Sequence, residues 1–121
     1  MCEIRGVGVD LCGVARMEEN LSKEHFLSRV FTPGEIAYIR AKGQSAAASM
    51  AGIFALKEAV CKALGTGIAF ALTDIEVTHS EAGQPQISLT GRAAEIAGGG
   101  RFHASVSHEG DMAAAFVVWS K

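Results

Sequence analysis

The feature that most constrains this chain is an apolar segment from Ala46 to Leu64, which contains no proline. Alanine and larger apolar residues occur all around the predicted helix instead of along one stripe, and a helix with that pattern is normally buried. Gly65 follows the segment and suits the left-handed position that ends many helices. We therefore predict a long buried helix over residues 46–64 as the centre of the fold.

Three charged residues, Lys57, Glu58 and Lys62, interrupt this apolar segment. Glu58 and Lys62 are four residues apart, so they project from the same face of the helix. A charge on a buried helix is costly unless it is paired or holds a metal. The helix alone leaves two interpretations open: a Glu58–Lys62 ion pair on a strip that reaches solvent, or a site that binds a ligand.

Composition limits the classes of function that the chain can have. The 121 residues fit one domain, 1–121, and 49% hydrophobic and 20% charged residues are typical of a globular protein. The formal net charge of -2 argues against a nucleic-acid-binding protein, which usually carries a basic excess. No apolar run approaches the ~20 residues of a membrane span, and no signal-peptide pattern is present. We expect a cytoplasmic protein that binds neither nucleic acid nor membrane.

The three cysteines, Cys2, Cys12 and Cys61, are widely spaced and form no C-x-x-C pair. This arrangement predicts neither a disulfide framework nor a zinc site. We expect them to be reduced and mostly buried, because a free cysteine behaves as a small hydrophobic residue.

The chain opens with a predicted strand, Ile4 to Leu11, in which glycines alternate with larger residues. Gly6, Gly8 and Asp10 share one face by the two-residue period, so another backbone or a ligand can approach closely there. The G-x-G lacks the third glycine of a dinucleotide-binding fingerprint. Asp10 has two open interpretations, a functional carboxylate or the N-cap of the following helix.

The remaining pattern places helices mainly before the long helix and strands mainly after it, which predicts an α+β domain. Thr32, Pro33 and Glu35 form a capping-box start signal for a short helix. In the helix before it, five residues should face inward: Met17, Leu21, Phe26, Leu27 and Val30. The other predicted helices are 14–30, 33–41 and 90–97, and the predicted strands are 74–78 paired with 86–89 and 102–108 paired with 112–119.

Four side chains carry the candidate chemistry. Carboxylates from separate elements, Asp10 and Glu58, suit a hard cation such as Mg²⁺, which keeps several waters and takes further ligands from a substrate phosphate. Lys62, one turn beyond Glu58, could reach the same phosphate. His108 lies among small hydroxyl residues at a predicted strand end and could act as a base or bind phosphate. Sequence spacing alone does not establish that the four meet.

Several motifs, in order along residues 4–119, resemble the holo-[acyl-carrier-protein] synthase family of small phosphopantetheinyl transferases. They are Gly6-Val7-Gly8-Val9-Asp10-Leu11, the helix segment Phe54 to Gly67 with its Lys-Glu-Ala-x-x-Lys-Ala core, Asp74 to Val77 followed by Gly83-Gln84-Pro85, and Ser105-Val106-Ser107-His108-Glu109. The resemblance implies the 4'-phosphopantetheinyl transferase fold, in which a long central helix packs on a small, mainly antiparallel sheet.

The resemblance also implies a reaction that serves fatty acid biosynthesis. The 4'-phosphopantetheine group of coenzyme A passes to a serine of apo-acyl carrier protein, with Mg²⁺ as cofactor, and adenosine 3',5'-bisphosphate is released. Asp10 and Glu58 match the magnesium ligands of the family, Lys62 the lysine beside the phosphates, and His108 the histidine at the pantetheine phosphate. Whether His108 or a carboxylate takes the serine proton stays open.

Binding residues are implied in the same way. Gly65, Thr66 and Gly67 match the turn beside the nucleotide. The turn at Gly83-Gln84-Pro85 is similar to one that reaches the nucleotide of a neighbouring subunit in a homotrimer. Arg16 matches a basic contact to acyl carrier protein. The chain departs from the family at Ile53, where many relatives carry an arginine that could serve a phosphate of the nucleotide.

Three other functions remain possible on the sequence. A cysteine acyltransferase would pair Cys61 with His108, although a nucleophilic cysteine needs an exposed, electropositive setting. A non-catalytic oligomeric binding module would explain the apolar helix but not the set of Asp10, Glu58 and Lys62. A related transferase acting on a carrier domain within a fatty-acid or polyketide synthase differs from the first interpretation only in its substrate.

Overall fold

The computed structural model describes residues 2–121, which form an α+β fold as predicted. One long helix lies along the chain between two groups of shorter elements. Their bounds are β1 Ile4–Gly13, α1 Val14–Glu18, α2 Glu24–Val30, α3 Pro33–Arg40, α4 Ala46–Leu64, β2 Ile75–His79, β3 Pro85–Leu89, α5 Gly91–Ala97, β4 Arg101–Glu109 and β5 Met112–Ser120, with short 3-10 turns at Gly43–Ser45 and Leu72–Asp74.

The larger sheet is antiparallel and has the strand order β1-β5-β4. The two ends of the chain therefore pair with each other, because β1 lies beside β5, and β5 forms the second predicted hairpin with β4. The smaller sheet is the β2–β3 hairpin, with Val77 opposite Ile87. Both hairpins and the helix 46–64 match the sequence-based predictions within one or two residues.

Helix α4 packs on one face of the larger sheet, and glycines of β1 allow that close approach. A Cβ atom built on Gly6 would overlap the carbonyl oxygen of Ala63, and one built on Gly8 would overlap that of Ala59. Any side chain at these positions would push the helix away from the sheet. Thus the small residues on the inner face of β1 set the distance between strand and helix, and they bring Asp10 next to α4.

In the first third of the chain the structure excludes one open interpretation and contradicts one prediction. Strand β1 continues to Gly13, which is the N-cap of α1, so Asp10 is a mid-strand residue and not a helix cap. The segment 14–30 is two helices instead of one. Asn20 interrupts it, since its side-chain amide donates to the carbonyl of Arg16 over 2.8 Å and thereby competes with the helix backbone. Met17, Leu27 and Val30 are buried as expected, and Leu21 and Phe26 are partly buried against the core.

The capping box that starts α3 is present and is part of a larger network. Thr32 accepts from the Glu35 amide, while the Glu35 carboxylate accepts from the Thr32 amide over 2.8 Å and from the Val77 amide over 2.7 Å. The same carboxylate lies 2.6 Å from the Lys57 ammonium, and both side chains are fully buried. Lys57 also donates to three backbone carbonyls, those of Val30, Leu72 and Ile75. This ion pair therefore ties α2, α3, α4 and β2 together.

Candidate active site

Asp10 and Lys62 meet where the middle of β1 passes the C-terminal part of α4. The Lys62 ammonium lies 3.2 Å from Asp10 Oδ1 and donates to the Val9 carbonyl over 2.9 Å. Because Lys62 pairs with Asp10 of β1, it does not form the ion pair with Glu58 along the helix. The Asp10 carboxylate is mostly buried beside this ammonium, and the Lys62 side chain is half exposed at the protein surface.

Glu58 belongs to the same group of charges. Burial and the nearby Asp10 carboxylate raise the pKa of Glu58 above its usual value, while the charges of Lys62 and Arg16 act to lower it. Burial likewise raises the pKa of the thiol of Cys12, which lies two residues beyond Asp10 on β1. A carboxylate whose charge is disfavoured by burial and by a second carboxylate is stabilised when a cation lies between the two. A positive charge beside Asp10 and Glu58 would therefore stabilise their ionised forms.

Arg16 of α1 lies at the margin of this group. Its guanidinium lies 5.1 Å from the centroid of the Phe54 ring, and its charge influences both Glu58 and Cys12. Stacking on an aromatic face holds the guanidinium in place without consuming its hydrogen-bond donors. Arg16 can therefore still bind an anionic group that approaches α1.

The chemistry of Asp10 and Glu58 fits a magnesium ion. Residues 2–121 contain no group of three or more His, Cys, Asp or Glu side chains arranged as a complete metal cage. Mg²⁺ does not require one, because it is commonly bound through one or two carboxylates, waters and substrate phosphates. Asp10 is already paired with the Lys62 ammonium, so its carboxylate faces positive charge in this structure. The residues present are consistent with an ion that completes its coordination from a phosphorylated substrate.

His108 lies apart from these residues within one protomer. It is on β4, the opposite edge strand from β1, and its register partner Ala113 pairs in turn with Cys12. Two strand spacings correspond to about 10 Å, so Asp10 and His108 flank α4 from different sides. The His108 Nε2 donates to the Ala48 carbonyl over 2.9 Å. The protomer brings Asp10, Glu58 and Lys62 together and leaves His108 on another surface.

A cavity of about 400 Å³ surrounds His108 between α4, the β2–β3 turn and β4. Gly83 and Pro85 of the turn line this cavity together with His108, so three of the predicted nucleotide-binding residues share one space. Ile53 lines it too and is almost fully buried. Tyr38 and His79 also lie in its wall, and sequence reasoning missed both because neither belongs to a motif.

Gly65, Thr66 and Gly67 form the exposed turn that follows α4. Gly65 has φ 75° and Gly67 has φ 62°, values that glycine adopts without strain. A Cβ on either glycine would meet no other atom of residues 2–121 within 4 Å, so the turn borders open space one helical turn beyond Lys62. The predicted nucleotide-binding residues are therefore divided between this turn and the cavity of His108.

Comparison with known proteins identifies the family. The profile of the 4'-phosphopantetheinyl transferase superfamily matches residues 6–117. This chain belongs to that superfamily. A relative from Treponema denticola, a holo-[acyl-carrier-protein] synthase, is 41% identical over 119 residues, which are 95% of this chain and 97% of the relative. A holo-[acyl-carrier-protein] synthase from Halothermothrix orenii is also 41% identical, over 95% of this chain and 96% of the relative.

Solved structures agree with the fold of this transferase. The holo-[acyl-carrier-protein] synthase of Neisseria meningitidis superposes with a TM-score of 0.85 at 33% identity, covering 98% of this chain and 100% of that one. The Helicobacter pylori enzyme, solved in complex with coenzyme A, gives a TM-score of 0.82 at 35% identity, covering 93% and 98%. The predicted fold class and the resemblance are both confirmed.

The structure also excludes the cysteine acyltransferase with Cys61 as its nucleophile. Burial raises the pKa of the Cys61 thiol to about 11, and its side chain lies inside the core. A buried thiol is not the nucleophile of an acyltransferase. Cys12 is buried as expected, whereas Cys2 is exposed. Within residues 2–121 of this transferase, every helix is too short or too polar to cross a lipid bilayer.

Proposed function

We propose that this single-domain transferase, residues 1–121, moves the 4'-phosphopantetheine group from coenzyme A to a serine of an apo-acyl carrier protein. The serine oxygen forms a new bond to the phosphorus that carries pantetheine. The bond from that phosphorus to the bridging oxygen breaks, its electron pair leaves with adenosine 3',5'-bisphosphate, and the serine proton passes to a base. Relatives at about 40% identity carry the name of this activity.

The observation that carries the proposal is the meeting of Asp10, Glu58 and Lys62 between β1 and α4. Pyrophosphate chemistry needs positive charge where negative charge develops, and a place for the metal that supplies part of it. An ion pair that served stability alone would not require Glu58 as a second carboxylate with a raised pKa. This group lies inside the matched region 6–117.

In this proposal each member of the group has a separate task. Asp10 and Glu58 hold Mg²⁺, which when bound neutralises charge on the pyrophosphate. Lys62, whose side chain is half exposed, contacts a phosphate oxygen of the leaving nucleotide. Gly65, Thr66 and Gly67 border the nucleotide, and Arg16 contacts the acidic surface of the carrier protein.

We further propose a homotrimer in which coenzyme A lies between subunits. The face of the larger sheet opposite α4 carries exposed apolar residues that no element of the described chain, 2–121, covers: Val7, Val9, Leu11 and Phe116. Exposed apolar patches of this kind commonly mark interfaces. Association of subunits through these faces would also let the cavity of His108, Gly83 and Pro85 on one subunit face Asp10, Glu58 and Lys62 on another.

One experiment tests the activity directly. The protein is incubated with coenzyme A, Mg²⁺ and an apo-acyl carrier protein, and the carrier is weighed by mass spectrometry. We expect a gain of one phosphopantetheine group and release of adenosine 3',5'-bisphosphate, both abolished by EDTA. No gain with several free carriers would contradict the proposal, and a gain only with a carrier domain excised from a larger synthase would favour the related transferase.

A further inference from the structure

Lys57 directly precedes Glu58 on α4, and its ammonium group is anchored inside the core. An ammonium has three N–H donors. Those of Lys57 go to the backbone carbonyls of three separate segments: Val30 at the end of α2 over 2.9 Å, Leu72 in a 3-10 turn over 3.0 Å and Ile75 at the start of β2 over 2.7 Å. Because the whole side chain is buried as well, these bonds persist only while α4 keeps its present rotation.

Glu35 of α3 completes this buried network. Its carboxylate lies 2.6 Å from the Lys57 ammonium and accepts from the backbone amides of Thr32 and Val77. Replacement of a whole buried ion pair by apolar residues is often neutral or stabilising, so stability alone does not account for two charges here. Directed hydrogen bonds to charged groups do specify a single arrangement of the elements that supply the partners.

The anchored side of α4 lies next to the side that carries Glu58. Successive side chains on an α-helix are about 100° apart, so Lys57 and Ala59 are about 200° apart and Glu58 projects between them. The part of α4 around Ala59 packs on β1, where a Cβ built on Gly8 would overlap the Ala59 carbonyl. The helix is thus held by the charged network on one side of Glu58 and by close contact with β1 on the other.

We propose that Lys57 and Glu35 are positioning residues for Glu58: their buried network fixes the rotation of α4 and thereby the distance between the carboxylates of Glu58 and Asp10. The inference rests on the proposed function, in which these two carboxylates hold Mg²⁺. Mg²⁺ demands near-ideal octahedral geometry, so a rotation of α4 that displaces one carboxylate from the other lowers the affinity for the ion. Lys57 and Glu35 act through Glu58 and touch no substrate.

Metal affinity, measured apart from turnover, tests the inference. The double variant Glu35→Gln/Lys57→Met leaves no unpaired charge in the core, and glutamine can replace glutamate in the capping box of α3. With Mn²⁺ as an EPR probe and coenzyme A present, we expect the folded double variant to bind Mn²⁺ about tenfold more weakly than wild type, the lower end of the range for groups that orient a metal ligand. Turnover should recover at high Mg²⁺ concentration, which a loss of stability alone would not produce.

Ile87→Ala provides the matched control. Ile87 packs against the core from β3 and makes none of the hydrogen bonds of Lys57 or Glu35, so this change should lower the melting temperature and leave the Mn²⁺ affinity unchanged. Glu35→Gln alone keeps the three carbonyl bonds of Lys57 and is the second variant if the double variant does not fold. It too should weaken Mn²⁺ binding.

The outcomes separate this inference from the proposed function. Wild-type Mn²⁺ affinity in either folded variant, or an equal loss of affinity in Ile87→Ala, would overturn the positioning role and leave the transferase activity standing. A wild-type protein that gains no Mn²⁺ signal would contradict the magnesium site and the positioning role together.

Discussion

The Lys57 ammonium lies 2.6 Å from Glu35 Oε1, and neither side chain is exposed to solvent. Burial lowers the pKa of Lys57, and the charge and hydrogen bond of Glu35 oppose that effect. Removal of one partner would leave the other charged and unpaired in the core. We expect Lys57→Met to reduce the free energy of unfolding by about 3–5 kcal/mol, measured by urea denaturation.

An exposed ion pair supplies the control for that prediction. Arg40 and Glu24 are also 2.6 Å apart but lie at the surface, where pairs contribute about 1 kcal/mol or less. Arg40→Ala should therefore have a much smaller effect than Lys57→Met. Equal effects would mean that the buried pair does not hold the elements around α4 together.

Gly8→Ala should destabilise the protein, because the new methyl group would overlap the Ala59 carbonyl of α4. We expect a loss of about 1–3 kcal/mol or more in the free energy of unfolding, together with lower activity as Asp10 moves relative to Glu58. At Gly13, which has φ -72°, a new methyl group would meet no atom of the described part of the chain within 4 Å, so Gly13→Ala should cost about 1 kcal/mol or less. A Gly8→Ala protein as stable as Gly13→Ala would show that the strand and helix can separate freely.

Glu58→Gln should abolish turnover without reducing stability in EDTA. The folded-state pKa of Glu58 lies above 4.5, so the neutral carboxyl is favoured in the folded protein. The contribution of this raised pKa to the free energy of unfolding is fully present below about pH 4.5 and is lost as pH rises through the raised pKa. The melting temperature of Glu58→Gln relative to wild type should therefore increase across that interval and then level off. Wild-type turnover by this variant would exclude Glu58 as a metal ligand.

Alkylation should distinguish the exposed cysteine from the two buried ones. Iodoacetamide should modify Cys2 in the native protein and leave Cys12 and Cys61 unmodified until the protein is denatured, since only Cys2 is exposed. Peptide mass spectrometry measures the sites. Cys61→Ala should retain transferase activity, whereas loss of activity in a folded Cys61→Ala protein would revive a nucleophilic role for this residue.

Val9→Glu should disrupt the proposed trimer. Val9 is 57% exposed on the outer face of β1, where it pairs across with Phe116, and a charge there would be buried on association. Light scattering after size exclusion should change from a trimer mass to a monomer mass. Ile68→Glu replaces another exposed apolar residue, outside the sheet, and should leave the mass unchanged. A wild-type protein that is already a monomer would contradict the trimer proposal.

Local patterns were sufficient for much of the fold. The apolar run with its terminal glycine predicted α4 at its observed bounds, and the Thr32-Pro33-Glu35 signal predicted the start of α3, because caps and periodicity act within a few residues. The break at Asn20 was missed, since one side-chain hydrogen bond to the Arg16 carbonyl outweighs a modest helical pattern.

The sequence by itself determined the buried helix, the side chains that carry the candidate chemistry and the family to which their motifs point. Tertiary structure decided how the charges pair: Lys62 with Asp10 instead of Glu58, and Lys57 with Glu35. It also decided that His108 and Asp10 lie on opposite edge strands of one sheet. These relationships join residues far apart in the chain, and they depend on which strands pair and how closely glycine lets a helix approach, which sequence spacing does not specify.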